Sequence, residues 1–208
     1  MSALSFENPL TTWIISDTHA FHKNICKGLT NWEAGSTVRD YDCETKMTED
    51  MAAVINKCVL PEHYLIHLGD WSFGGFDKIE RFRKMLNCKN IYLICGNHDH
   101  HIESDRDACR SLFNQVFGIP GVSMLVDVRV GQHKYVCGHY KMAVWDKSHK
   151  GVRNLWGHSH GSMPIDRNLL SFDCGWDVWG KPLNFVEVEE EMSKHSFVPV
   201  DHHDKETN

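Results

Sequence analysis

The chain has 208 residues with 28 acidic and 22 basic side chains, and it is 41% hydrophobic and 24% charged. That is the balance of a soluble globular protein of one domain, which excludes disorder, collagen and coiled coil and needs neither disulfides nor a structural metal for stability. The formal net charge of −6 disfavours long nucleic acid as a partner, because such binding rests on clustered Lys and Arg.

Residues 1–9 are polar, with Glu7 and Asn8, and show no apolar stretch of signal-peptide length. No window approaches the roughly 18 apolar residues of a membrane span. A cytoplasmic protein without a membrane partner is expected. Residues 11–16 (TTWIIS) predict a buried strand, and 21–46, with little periodicity, predict a lid or loop over whatever that strand presents. Met51, Val54, Ile55 and Cys58 predict a helix over 49–59, residues 63–68 a strand, Ile79, Phe82, Met85 and Leu86 a helix over 77–86, and residues 90–95 a strand. Strand alternating with helix implies a parallel sheet with crossovers. After a helical stretch near 105–113 the pattern turns to strands at 122–130, 134–137 across a Gly131–Gln132 turn, 154–156, 169–173 and 184–188. From Glu189 the text becomes polar and loses its period. A domain over 1–190 and a frayed tail over 191–208, with His202 and His203 incidental, are expected.

Histidine, the commonest metal ligand, occurs 15 times. The eight cysteines contain no C-x-x-C pair, so they are read as reduced and mostly buried. Five short motifs each follow a predicted strand: Asp17-Thr18-His19, Gly69-Asp70, Gly96-Asn97-His98-Asp99, Gly138-His139 and Gly157-His158-Ser159-His160. Ligands gather at the carboxyl ends of strands in open α/β sheets, so all five are placed to converge on one rim. Asp17 and His19 are two apart, as are His158 and His160. On an extended chain that spacing points both side chains the same way, so each pair is expected to clasp one ion. Any one motif alone reads as a turn with a satisfied histidine; five in succession point to a metal site.

Taken in order, D-x-H, G-D, G-N-H-D, H and G-H-x-H resemble the calcineurin-like metallophosphoesterase family, from Thr11 to about Val188. The wording SDTHAFHKNI, LGDWSFGG, CGNHD and LWGHSHG is most similar to its small, single-domain bacterial and phage members. The resemblance implies an α/β fold, a four-layer α/β/β/α sandwich of two mostly mixed sheets flanked by helices, with two divalent metal ions at its rim. It implies that Asp17, His19, Asp70 and His160 hold one ion and Asp70, Asn97, His139 and His158 the other, Asp70 being the bridge. Manganese, iron, zinc and nickel all suit nitrogen and oxygen ligands, and two such ions ready a bridging hydroxide for in-line attack on phosphorus. By the same resemblance His98 protonates the leaving oxygen or stabilises the transition state, and Asp99 orients His98.

His139 competes with His133 and His149 for its ligand role. It is preferred because it follows an apolar strand and a glycine, whereas the others sit in a turn and in a polar run. His22, with Asn97 and His98, is a candidate substrate contact, and Lys23, Asn24, Arg39 and Lys141 are weaker ones. Trp71, Phe73, Trp145, Trp176 and Trp179 are read as core packing ahead of an apolar wall for a base or aryl group. The expected activity is hydrolysis of small phosphomonoesters or phosphodiesters. The G-D-x-x-D-R-G element of protein Ser/Thr phosphatases is absent, since Gly69 begins GDWSFGG. The alternatives are a cyclic-nucleotide or nucleic-acid phosphodiesterase and a non-catalytic interaction module on the same fold, the latter predicting damaged ligand positions. Substrate and oligomeric state stay open.

Overall fold

The computed structural model describes residues 3–32, 38–120, 122 and 124–198. In chain order the elements are β1 (Ala3–Phe6), β2 (Thr12–Ile15), α1 (Glu44–Cys58), β3 (Tyr64–His67), α2 (Phe76–Met85), β4 (Asn90–Ile94), α3 (His100–Ser104), α4 (Arg106–Arg110) and β5 (Gln115–Phe117). They continue as β6 (Val126–Val130), β7 (His133–Cys137), β8 (Arg153–Trp156), β9 (Ser171–Asp173), α5 (Trp176–Trp179), β10 (Leu183–Asn184) and α6 (Phe185–Met192).

The continuous apolar runs of β2, β3 and β4 fit strands covered on both faces, as parallel sheets require. They lie in a sheet of order β10-β2-β3-β4-β5, parallel except for β10. On one face Trp13, Ile15, Leu65, Ile91 and Leu93 pack against Met51, Ala52 and Ile55 of α1 and Ile79 and Phe82 of α2. On the other, Ile14, Ile66 and Ile94 meet Val126, Val128, Tyr135, Leu155 and Phe172 of the second sheet, of order β1-β6-β7-β8-β9. The outer face of that sheet is covered at Val136 by Trp145, Met142 and Val152. The expected sandwich of two sheets with helices is the architecture observed. Six of the eight cysteines are buried and all are free. Among the described residues no helix is long and apolar enough to cross a membrane.

Residues 184–188 (NFVEV), expected as a strand, instead lead into α6. The Asn184 side chain accepts hydrogen bonds from the backbone N–H groups of Val186 and Glu187, and the Glu187 carboxylate accepts one from Asn184 N–H. This capping box starts a helix whose Phe185, Val188 and Met192 are buried at helical spacing. Residues 190–198 are therefore not frayed: Val198 N–H bonds the Asn168 carbonyl, and the buried His195 bonds that of Leu169. Residues 199–208, with His202 and His203, lie outside the described residues. β1, which no pattern marked, pairs in parallel with β6 at the sheet edge, and β5 was likewise not anticipated. The strands expected over 122–130 and 169–173 begin only at Val126 and Ser171.

The expected lid over 21–46 is shorter and better anchored than its polarity suggested. Its last three residues belong to α1, and Ile25 and Cys26 pack with Met47, Leu29, Trp32 and Tyr41 in a small core of their own. Residues 33–37 lie outside the described residues.

Candidate metal centre

The carboxyl ends of β2, β3 and β4 meet those of β7, β8 and β9 at one rim. Ser16 bridges Gly175, the Gly157 N–H bonds the His139 carbonyl, and the His139 ring bonds the Leu68 carbonyl. All five motifs gather there. Asp17, His19 and His160 form one cluster and Asp70, His139 and His158 another, with the ligand atoms of each within 4.8 Å of one another. Asp70 lies between them, its Oδ2 3.3 Å from His19 Nε2 and 3.4 Å from His139 Nε2.

The backbone that delivers these groups is not extended. Asp17, His19, Asp70, His158 and His160 all have positive φ, between 45° and 71°, a conformation costly for residues with a Cβ that recurs where function over-determines the chain. Asp17 and His19 nonetheless share a cluster, as their spacing suggested, whereas His158 and His160 lie in different clusters, as the family resemblance implied and their spacing did not. Two glycines allow the close approach. A Cβ on Gly96 would stand 2.3 Å from Asp70 Oδ1, and one on Gly157 2.3 Å from Asp17 Oδ2.

The polar atoms are arranged for a cation. Asp17 Oδ1 and both ring nitrogens of His19 are buried without a hydrogen-bond partner, a state that proteins avoid unless something else satisfies the group. His139 Nδ1 donates to the Leu68 carbonyl at 2.8 Å, so in the neutral ring the Nε2 lone pair faces Asn97 Oδ1 at 2.9 Å. Carboxylate, imidazole and amide oxygen together suit a divalent transition metal, so the residues present fit the implied ions.

Without a cation the cluster redistributes protons. Burial raises the Asp17 carboxyl to about 6 and lowers His19 to about 3. Burial would also lower His139, but its hydrogen bond to Asp70 and the charges of Asp17 and Asp70 override that and raise it to about 9. His160 is raised in the same way, with Asp177 outweighing burial.

Behind the ligands stand residues that sequence reading missed. Asp177 accepts from His160 Nδ1 at 2.7 Å, fixing Nε2 toward the cluster, and Arg39 grips Asp177 with Nε and Nη2, both at 2.8 Å. The same guanidinium bonds the carbonyls of Asp17 and Thr18. Arg39, named as a weaker candidate substrate contact, is instead fully buried and structural. Asp177 had only a weak signal, an acid two residues after a glycine at a strand end. His67, inside β3, accepts from Gly69 N–H at Nδ1 and contacts Thr18 Oγ1 at 2.8 Å through Nε2. Since Thr18 donates to the Trp71 carbonyl, His67 must donate from Nε2 and is neutral; burial, which lowers it to about 3, agrees.

Asp99 also departs from expectation. Its oxygens accept backbone N–H groups of Gly96, Asp70 and Trp71, so it clamps the loop that carries His98 rather than the His98 ring. His98 is exposed at the mouth, its N–H bonded to Asp70 Oδ1 and its ring 5.3 Å from that of His19. His22 stacks on Phe73 nearby. His133 pairs with Glu189 and His149 sits in a short helical turn (Ser148–Lys150); neither joins a cluster. Lys23 and Asn24 are exposed, and Lys141 lies over the Trp156 ring. Trp71, Trp145 and Trp176 are buried in the cores, and Trp179 packs against one, bonding the Asp173 carbonyl. Phe73 alone of the five aromatics stands exposed.

A family model described as calcineurin-like phosphoesterase matches residues 10–195. Among solved structures, a protein of unknown function from Aquifex aeolicus is similar in fold, with a TM-score of 0.60 and 20% identity over 86% of this chain and 98% of that one. No curated protein matches the chain.

Proposed function

Since the chain belongs to the calcineurin-like phosphoesterase family, a family of phosphoester hydrolases, we propose that it is a dinuclear metal-dependent hydrolase of small phosphomonoesters or phosphodiesters. Asp17, His19, Asp70 and His160 would hold one ion and Asp70, Asn97, His139 and His158 the other. When bound, such a pair supplies charge that activates water and neutralises the phosphoryl oxygens. The observation that carries this reading is the Asp70 carboxylate shared between two histidine clusters, one oxygen within 3.4 Å of an imidazole nitrogen of each.

The chain's own residues do the rest. His98, exposed beside the first cluster, gives a proton to the leaving oxygen. Its position is set by the hydrogen bond from its own N–H to Asp70 Oδ1 and by the Asp99 clamp on the neighbouring amides. Asn97, next to His98 in the chain, and His22, whose ring is 5.4 Å from that of His19, contact the phosphoryl group. The net charge of −6 and the absence of clustered Lys and Arg in the motifs favour a small substrate over long nucleic acid.

The test is metal analysis of the purified chain together with a panel of aryl monophosphates and bis-aryl phosphates under manganese, iron, zinc and nickel. Two bound ions and metal-dependent turnover, both lost in Asp70→Asn, are the expected result. Faster turnover of the bis-aryl ester assigns a diesterase. Failure to turn over any ester with any metal would favour the non-catalytic module.

A further inference from the structure

Aromatic rings that no metal role accounts for border the two clusters. Phe73 is 43% exposed, and its ring lies flat on the His22 imidazole, centroids 3.9 Å apart and planes 4° from parallel. Each of these rings is 6.3 Å from that of His98, which is 5.3 Å from His19. The His22 ring itself lies 5.4 Å from that of His19, so His22 and His98 both border that ligand and Phe73 stands outside them.

The loops that carry the stack are locked together. Ala20 and Ser72 form a parallel bridge, Ala20 N–H bonds the Trp71 carbonyl at 3.1 Å, Phe73 N–H bonds the Ala20 carbonyl at 2.8 Å, and His22 N–H bonds that of His19 at 3.1 Å. An exposed apolar ring at the mouth of a polar site, held this firmly, is organised in advance for something planar. The neighbouring walls have the same character: Trp32 sets its edge against His160 at 5.4 Å, and Tyr140 approaches His158 at 4.5 Å.

We propose that the exposed side of the Phe73 ring, backed by His22, is a subsite for a planar aromatic group carried on the alcohol side of the phosphoester. It rests on the phosphoesterase reading above, because His98, as proton donor to the leaving oxygen, fixes the side on which the alcohol departs. A nucleobase and a simple aryl group share the required π-face, and stacking on a protein ring changes affinity by about tenfold.

The test compares esters with the same kind of primary alkoxide leaving group that differ in the ring. Adenosine 5′-monophosphate is set against ribose 5-phosphate, and benzyl phosphate against cyclohexylmethyl phosphate, on the metal-loaded full chain and its Phe73→Ala and Phe73→Tyr variants. KM is expected to be about tenfold lower for the aromatic member. That ratio should collapse toward one in Phe73→Ala and return in Phe73→Tyr. Preference in the first pair assigns a nucleobase, and preference in the second alone a simple aryl group. Equal KM values within both pairs, or a ratio untouched by Phe73→Ala, overturn the subsite while leaving the phosphoesterase standing. If no ester is turned over, calorimetric binding of the same four compounds decides. An aromatic preference lost in Phe73→Ala upholds the subsite and overturns the hydrolase, whereas no preference overturns both.

Discussion

The two clusters share Asp70 but are backed by different chemistry. Behind the Asp17, His19 and His160 cluster stands an ionised carboxylate, Asp177, itself gripped by the buried Arg39. Behind Asp70, His139 and His158 stands a neutral backbone carbonyl, that of Leu68, and His158 is exposed. A carboxylate on the far side of an imidazole makes the ring a stronger base and fixes its tautomer more firmly than a carbonyl does. The first cluster is thus built rigid and electron-rich, and the second more open to water and substrate.

The bluntest way to break that contrast is to remove what the clusters share. Asp70→Asn should empty both, and turnover should fall on the order of a thousandfold or more, since metal charge stabilisation is worth several kcal/mol; metal content by mass spectrometry alongside initial rates checks this. Next, His98→Asn should keep both ions yet lower turnover by roughly 10²–10⁴-fold, the usual contribution of a general acid. Metal loss equal to that of Asp17→Asn or His160→Asn would remove His98 from the proton-donor role. Asp177→Asn should weaken one of two binding events by about 10–100-fold and spare the other. Calorimetric metal titration reads the two events separately, and equal weakening of both would erase the difference between the clusters.

The mildest effect is on pH. The metal-free His139 is raised to about 9, so below that pH a proton must leave before the nitrogen can bind a cation. Affinity at the second cluster should therefore climb with pH, by up to about tenfold per unit for one displaced proton, and level off above about 9. Proton release measured in buffers of different ionisation enthalpy tests it.

The parallel half of the fold was legible because its strands are short apolar runs separated by amphipathic helices. The ligand set was legible because each motif joins a chemically distinctive side chain to a strand end. What stayed hidden depended on distance or on competing local signals. Arg39 and Asp177 are 138 positions apart, and neither stretch hints at the other. At residues 184–188 apolar and β-branched residues suggest a strand, while the helix depends on the Asn184–Glu187 capping box that starts it. His67 reads as one more residue of an apolar strand, and only its neighbours Thr18 and Gly69 reveal that it holds the rim. The split of His158 and His160 between clusters is not encoded in their spacing, although the family resemblance implied it.

The amino-acid text by itself therefore specified the kinds of donor and their order along the chain, since side-chain chemistry and short-range periodicity are local properties. Tertiary structure alone decided which buried partners hold the donors and which aromatic ring faces solvent. Those outcomes depend on distances between segments far apart in the chain and on the conformational strain that packing around the rim sustains.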